Sequence, residues 1–216
     1  MDSSVGPPAV VFDLGGVLID WDPRYLYRRL LASEEEVERF LGTVCTPEWN
    51  RAQDAGRSWA EAVDTLAARH PDQAGLIAAY RDRWPEMIAG PFEETVRVLA
   101  DLRAAGVALY ALTNWSAETF PVAQRRFDFL RWFEGTVVSG QEQLVKPDPR
   151  LYRLLAQRHG LDLRHSVFID DTPANVVAAR ELGMLGLDFV DAERLRADLT
   201  AHGLLASGTA AQADRA

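Results

Sequence analysis

Short apolar runs that stop abruptly on polar side chains constrain this chain more than any other feature. "VVFD" runs from Val10 to Asp13, "VALYALTN" from Val107 to Asn114 and "SVFIDD" from Ser166 to Asp171. "GTVVSG" and "LGLDFV" are similar runs at Gly135 and Leu185. Each is short, apolar and rich in β-branched or aromatic residues, the pattern of a strand buried on both faces. Helical patterns separate them. One runs from about Pro149 to His159 and stops at Gly160; the next starts with Pro173 in its first turn and stops at Gly183; the last covers Ala192 to His202. Strand and helix in alternation with short connections predict about five parallel strands covered by helices on both faces.

Residues 22 to about 90 break that rhythm. Ser33 with Glu36, and Ser58 with Glu61, have capping-box spacing ahead of apolar-periodic runs. "RYLYRRLL", "EEVERFLGTV", "WAEAVDTLAARH" and "QAGLIAAYRDRW" predict about four helices and no strand. The expected division is therefore an α/β core over 1–20 and 91–205, a helical insert over 21–90, and a small, polar, disordered tail over 206–216.

With 216 residues, 48% of them hydrophobic, the chain is long enough for a full core plus a small insert. A formal net charge of −9 argues against nucleic acid and anionic membranes as partners, since phosphates would be repelled. Small phosphorylated metabolites stay open, because a bound metal reverses the field locally. The single cysteine, Cys45, cannot form an internal disulfide, and "MDSSVGPP" has no signal-peptide pattern. No apolar run approaches the ~20 residues of a membrane span. A cytoplasmic protein, monomeric or homodimeric, is the expectation.

In parallel α/β sheets, ligands bind beyond the carboxyl ends of the strands. Asp13, Thr113-Asn114 and Asp170-Asp171 stand at those ends, and Lys146 lies in the loop "LVKPDP" on the same side. Three carboxylates held together without a cation would repel and raise one another's pKa. Mg²⁺ resolves the conflict, since it prefers carboxylate, carbonyl and water oxygens. Metal, hydroxyl and ammonium together would make a site for phosphoryl chemistry, with Asp13 as nucleophile. Gly15 and Gly16 would free backbone N–H groups to face phosphate oxygens.

"FDLGGVLID", "LTN", "KPDP" and "FIDD" resemble, in order, the four motifs of the haloacid dehalogenase (HAD) superfamily. The resemblance covers roughly residues 9 to 200 and implies a Rossmann-like core with a helical cap inserted after the first motif. A subgroup similar to α-D-glucose-1-phosphate phosphatase also has a glycine at the second motif position. By that resemblance Asp13 is the nucleophile, Thr113 and Lys146 hold the phosphate, and Asp170 and Asp171 bind Mg²⁺ with Asp13. Leu14, Gly15 and Asn114 would line the phosphate site. The implied reaction is hydrolysis of a small phosphomonoester, such as a sugar phosphate.

One departure stands out. Most phosphatases of this superfamily carry a second Asp two residues after the nucleophile, acting as general acid and base; here it is Gly15. Its backbone carbonyl can still ligate metal, but the proton donor is gone, an effect of ~10²–10⁴ in rate. Either the substrate leaves readily, or a water or another acid such as Asp20 or Asp22 replaces it.

Other candidates have plainer readings. Trp59 and Trp84 are expected in the cap core, and Trp21 and Trp115 at the substrate pocket. Arg24 and Arg51 can reach a substrate, although exposed cap arginines are commoner. Asn175 is expected in the first turn of its helix, supporting the metal loop. His70, His159 and His202 fall at helix C-termini, and His165 precedes a strand. None has the context of a triad base, and no G-x-S-x-G elbow or H-E-x-x-H helix occurs.

Two rivals remain. A metal-independent 2-haloacid dehalogenase would use Asp13 on carbon, and "KPDPRLY" with Lys146 and Tyr152 suits that group too. The dehalogenases so resembled carry neutral residues where Asp170-Asp171 stand, because an acidic pair would repel a haloacid carboxylate. A binding or regulatory protein that lost its acid is the other, opposed by intact Asp13 and Lys146.

Overall fold

A computed structural model describes residues 8–206; the part of the expected tail beyond Ala206 lies outside the described residues. Seven strands form: β1 Ala9–Phe12, β2 Ile19–Trp21, β3 Ile88–Pro91, β4 Leu109–Thr113, β5 Gly135–Val138, β6 Ser166–Asp170 and β7 Leu185–Asp188. Five of them make one sheet in the order β5-β4-β1-β6-β7, every pair parallel. The three central strands, β1, β4 and β6, are buried throughout, which is why they read as continuous apolar runs rather than as alternation.

Successive side chains of a strand point to opposite faces, and the core divides accordingly. Val11, Leu112, Val137 and Phe168 pack on one face against Leu151, Tyr152 and Leu155 of the helix Pro149–His159. Val10, Phe12, Ala111 and Ile169 face the other way, into a cluster that continues into the helical segment through Leu26, Tyr27 and Trp59. Each fully buried large side chain of this kind stabilises the fold by roughly 1.5–3 kcal/mol.

Helix boundaries in the sheet region match the sequence reading. Pro149–His159 ends at Gly160, which takes a φ of 68° as its left-handed cap. Pro173–Glu181 and Ala192–Ala201 follow the predicted runs.

The segment between β2 and β3 departs from expectation in three ways. First, it is not free of strand: β2 and β3 pair antiparallel where the chain enters and leaves, and Ile88–Pro91 falls partly within the stretch read as all helix. Second, "RYLYRRLL" yields only a one-turn helix, Arg24–Tyr27. Third, a helix absent from the sequence reading spans Pro47–Asp54. Its start follows simple rules: the Thr46 hydroxyl accepts from the Trp49 amide at 3.2 Å, and Pro47 occupies the first turn. Helices Glu34–Thr43, Trp59–Arg69 and Ala74–Asp82 form as read, with Ser33 and Ser58 accepting from the Glu36 and Glu61 amides. Trp49, Trp59 and Tyr80 gather at their centre, with ring centroids 5.2–5.6 Å apart.

Candidate active site

β1 lies at the middle of the sheet, with β4 and β6 hydrogen-bonded on either side. The chain runs from β1 outward through β4 to β5, then returns to β6 and β7 on the opposite flank, so a topological switch point lies at β1. The tips of β1, β4 and β6 are thus adjacent, and they carry Asp13, Thr113 and Asp170.

Asp13 is held from both ends. Its amide donates to the Ile169 carbonyl at 2.8 Å, extending the β1–β6 pairing by one residue, and its Oδ1 accepts from the Leu14 amide at 2.7 Å. The Leu14 side chain is fully buried in the core, so this residue's contribution to the site is its backbone. Lys146 is completely buried, its Nζ 2.9 Å from Asp13 Oδ2 and 2.7 Å from Asp170 Oδ2. Asp170 also accepts from Asn175 Nδ2, at 2.9 and 3.1 Å, and from the Thr172 amide at 2.8 Å. Asn175 therefore supports the Asp170 carboxylate, as expected of it.

Asp13, Asp170 and Asp171 each turn an oxygen into one cluster, all within 4.8 Å of one another. Burial pushes the Asp13 carboxyl up to about 7, with Lys146 pulling it down and Asp170 pushing it further up. Asp171 is also raised, by desolvation and then by Asp170. Burial alone would lower the Lys146 ammonium, but Asp13 and Asp170 outweigh it and hold it above its ordinary value. One ammonium against three carboxylates leaves two negative charges, the amount a divalent cation brings. Hard oxygen donors at this spacing fit Mg²⁺.

The two glycines after Asp13 differ in use. Gly16 has φ of 75°, and its amide donates to the Ile19 carbonyl at 3.0 Å, so the turn consumes the N–H expected to face phosphate. A Cβ there would come within 2.2 Å of Asp171 Oδ2, so only glycine lets that carboxylate lie over the turn. At Gly15 a Cβ would meet nothing within 4 Å.

Thr113 is buried at the tip of β4. Asn114 grips the lysine loop with both ends of its amide: Nδ2 donates to the Lys146 carbonyl at 3.1 Å, and Oδ1 accepts the Lys146 amide at 2.8 Å. Arg51 Nη2, from the helix Pro47–Asp54, donates to the same carbonyl at 2.7 Å. Further bonds tie the helical segment to these loops. Trp59 Nε1 donates to Ser116 Oγ at 3.1 Å, and the Ser139 hydroxyl donates to the Asp54 carbonyl at 2.6 Å.

A cavity lies between the strand tips and the helical segment, lined by Gly15, Trp21, Asp54, Trp59, Trp84 and Trp115, among others. Trp21 and Trp115, the two indoles proposed from the sequence for a substrate pocket, both line it. Trp59 and Trp84 are buried in the core of the helical segment and line the cavity as well. Trp115 Nε1 donates to Thr119 Oγ1 at 3.1 Å, whereas the buried Trp21 Nε1 has no partner among the described residues. Asp54 went unnoticed in the sequence together with its helix; Thr46 followed by Pro47 and Glu48 was the available signal. Burial pushes its carboxyl up to about 7, against the pull of Arg51 and a bond from the Ser116 amide.

Other sequence candidates are engaged elsewhere. Asp20 accepts from the Tyr25 hydroxyl at 3.0 and 2.9 Å, and Arg24 pairs with Glu38 and Asp22. Tyr152 is buried and donates to the Asn175 carbonyl at 2.9 Å. His70 and His202 cap helix C-termini, and His159 ends its helix.

Comparisons with known proteins bear on the family and the fold. The chain is 28% identical over 186 residues to sesquiterpene phosphatase astK of Aspergillus oryzae, covering 85% of this chain and 90% of that protein. It is 26% identical over 195 residues to drimenol cyclase drtB of Aspergillus calidoustus; that match covers 89% of this chain but only 36% of the larger protein. A HAD family enzyme of Bacteroides thetaiotaomicron, solved as an aspartate-to-alanine mutant with magnesium and inorganic phosphate, superposes with a TM-score of 0.66 at 20% identity, covering 88% of this chain and 99% of that one. The family profile for haloacid dehalogenase-like hydrolases matches residues 7–183, well over half the chain. This protein belongs to the haloacid dehalogenase-like hydrolase family.

Proposed function

We propose that the protein is a Mg²⁺-dependent phosphatase acting on a small phosphomonoester through an aspartyl-phosphate on Asp13. The observation that carries this reading is the cluster of Asp13, Asp170 and Asp171 around a single buried ammonium. A haloacid would bring another carboxylate into that cluster and be repelled, which disfavours the dehalogenase reading.

Asp13, Asp170, Asp171 and the Gly15 carbonyl would hold the metal, which when bound neutralises charge on the phosphoryl oxygens. The chain's own residues supply the rest. The Leu14 amide fixes Oδ1 of Asp13, and Oδ2 lies beside the Lys146 ammonium, which orients the carboxylate for attack. Lys146, kept charged by its two carboxylates, attracts the phosphoryl oxygens, and Thr113, at the tip of β4, offers a hydroxyl. Asp13 attacks phosphorus, the ester oxygen leaves, and water then splits the acyl phosphate, freeing inorganic phosphate.

We read residues 21–90 as a cap over a core of 1–20 and 91–205. Its bonds to the Lys146, Ser116 and Ser139 loops suit a closure that excludes bulk water. The cavity is about 70 Å³, well below the ~300 Å³ or more of a site for drug-sized ligands, and this favours a small ester. Four indoles with a few polar groups suit an apolar or ring-bearing alcohol, a sugar ring included. The phosphatase name of one relative supports the reaction class.

Acid-quenching the enzyme during turnover and weighing its peptides tests the proposal. One phosphoryl group is expected on the peptide containing Asp13. A phosphorylated serine, threonine or histidine instead, or turnover that continues in Asp13→Asn, would refute it.

A further inference from the structure

The leaving oxygen lacks the usual proton donor, because the second motif position is Gly15. A side chain there would project into open space, since a Cβ on Gly15 meets nothing within 4 Å. That space belongs to the cavity between the strand tips and the helical segment, which Gly15 and Asp54 both line. Of the acids considered earlier, Asp20 is held by the Tyr25 hydroxyl and Asp22 by Arg24, and neither lines this cavity. Among the described residues that do line it, Asp54 is the one carboxylate.

We infer that Asp54, at the end of the helix Pro47–Asp54, donates the proton to the leaving oxygen in place of the side chain missing at Gly15. The inference rests on the phosphatase reading. In the first step an Asp13 oxygen forms its bond to phosphorus, the bond from phosphorus to the ester oxygen breaks, and that oxygen takes the proton of the Asp54 carboxylic acid. In the second step a water oxygen attacks phosphorus, its proton passes to the Asp54 carboxylate, and the Asp13 carboxylate is released with inorganic phosphate. Asp54 ends as it began.

The surroundings suit the task. Desolvation holds the carboxyl near 7, where both protonation states are populated at neutral pH. Asn50 Nδ2 donates to Asp54 Oδ2 at 3.3 Å, which orients the group. Arg51, one turn earlier, is anchored on the Lys146 carbonyl, which links the acid's helix to the phosphate-side lysine. Because Asp54 belongs to the helical segment, the donor reaches the leaving group only when that segment is seated.

The same carboxylate accepts from Asn50, so a purely structural role is the competing account. Leaving-group dependence separates the two. Full-length protein is assayed with Mg²⁺ on p-nitrophenyl phosphate, whose leaving oxygen needs no proton, and on benzyl phosphate, whose oxygen does. Asp54→Asn is expected to lower kcat on benzyl phosphate by ~10²–10⁴-fold and on p-nitrophenyl phosphate far less. Adding Gly15→Asp to Asp54→Asn is expected to restore much of the benzyl phosphate rate, since the position has room for the side chain. Equal losses on both esters, or no gain from Gly15→Asp in the Asp54→Asn background, would overturn the inference. If Asp54→Asn fails to fold, Gly15→Asp in the otherwise unaltered chain decides. A flattened dependence on leaving group is then not expected, because the acid is already present; a gain of ~10²-fold or more confined to benzyl phosphate would overturn the inference. Wild-type protein inert toward both esters would instead refute the phosphatase reading, and this inference with it.

Discussion

Gly16 and Asp171 occupy each other's space: a methyl group on the glycine would lie 2.2 Å from the carboxylate oxygen. The positive φ of Gly16 adds a second reason for glycine, because L side chains there cost roughly 1 kcal/mol or more. The turn after the nucleophile and the loop after β6 are thus fitted to one another.

Gly16→Ala should push Asp171 out of the acidic cluster while leaving the sheet intact. The expected result is a Mg²⁺ requirement ~10–100-fold higher, the range seen when groups supporting a metal site are disturbed. Titrating activity with Mg²⁺, beside a circular dichroism spectrum, checks it. Unchanged metal dependence would mean that Asp171 takes no part.

Lys146→Met removes the one ammonium between Asp13 and Asp170. Breaking a buried pair in this way costs ~3–5 kcal/mol of stability in the presence of chelator. The sign of its pH dependence follows. Without the lysine that pulls it down, the Asp13 carboxyl, already raised by burial, titrates higher still in the folded state, so the native protein binds more protons there and loses stability as pH rises. Melting temperatures in EDTA at pH 5 and pH 8 should therefore diverge more for Lys146→Met than for wild type.

Asp54 gives a related test in the intact site. Burial raises its carboxyl from the ordinary carboxylate range to about 7, so its neutral form is favoured by folding. The stabilisation is complete below the unfolded value and is lost as pH rises through about 7. Discounted for partial solvent access, the loss is on the order of 2 kcal/mol. Asp54→Asn should remove that part of the pH dependence of thermal stability.

Asn114→Ala would free both the carbonyl and the amide of Lys146. A cost of about 1–3 kcal/mol is expected, with a lower kcat as the lysine loop loosens. Chemical denaturation and steady-state kinetics on the same preparation read both effects.

Much of this was legible in the sequence, for a physical reason. Strands buried on both faces leave unbroken apolar runs, and the chemistry stands where those runs end, so Asp13, Thr113, Asp170 and Asp171 could be placed from pattern alone. The helix Pro149–His159 was equally plain, with Pro149 in its first turn and Gly160 beyond its end. The helix Pro47–Asp54 was not. It has eight residues, mostly polar, and its one fully buried position is Gln53, so no apolar periodicity marks it. The β2–β3 pair was missed because its strands are three and four residues long and pair across the whole helical segment. The double grip of Asn114 on Lys146 joins residues 32 apart, and nothing local announces it.

The direct test of the account is hydrolysis of p-nitrophenyl phosphate, measured with saturating Mg²⁺ and with excess EDTA, in wild type and Asp13→Asn. Turnover by wild type in Mg²⁺ alone, lost on chelation and absent from Asp13→Asn, is the predicted result. Undiminished hydrolysis in EDTA, or by Asp13→Asn, would contradict it.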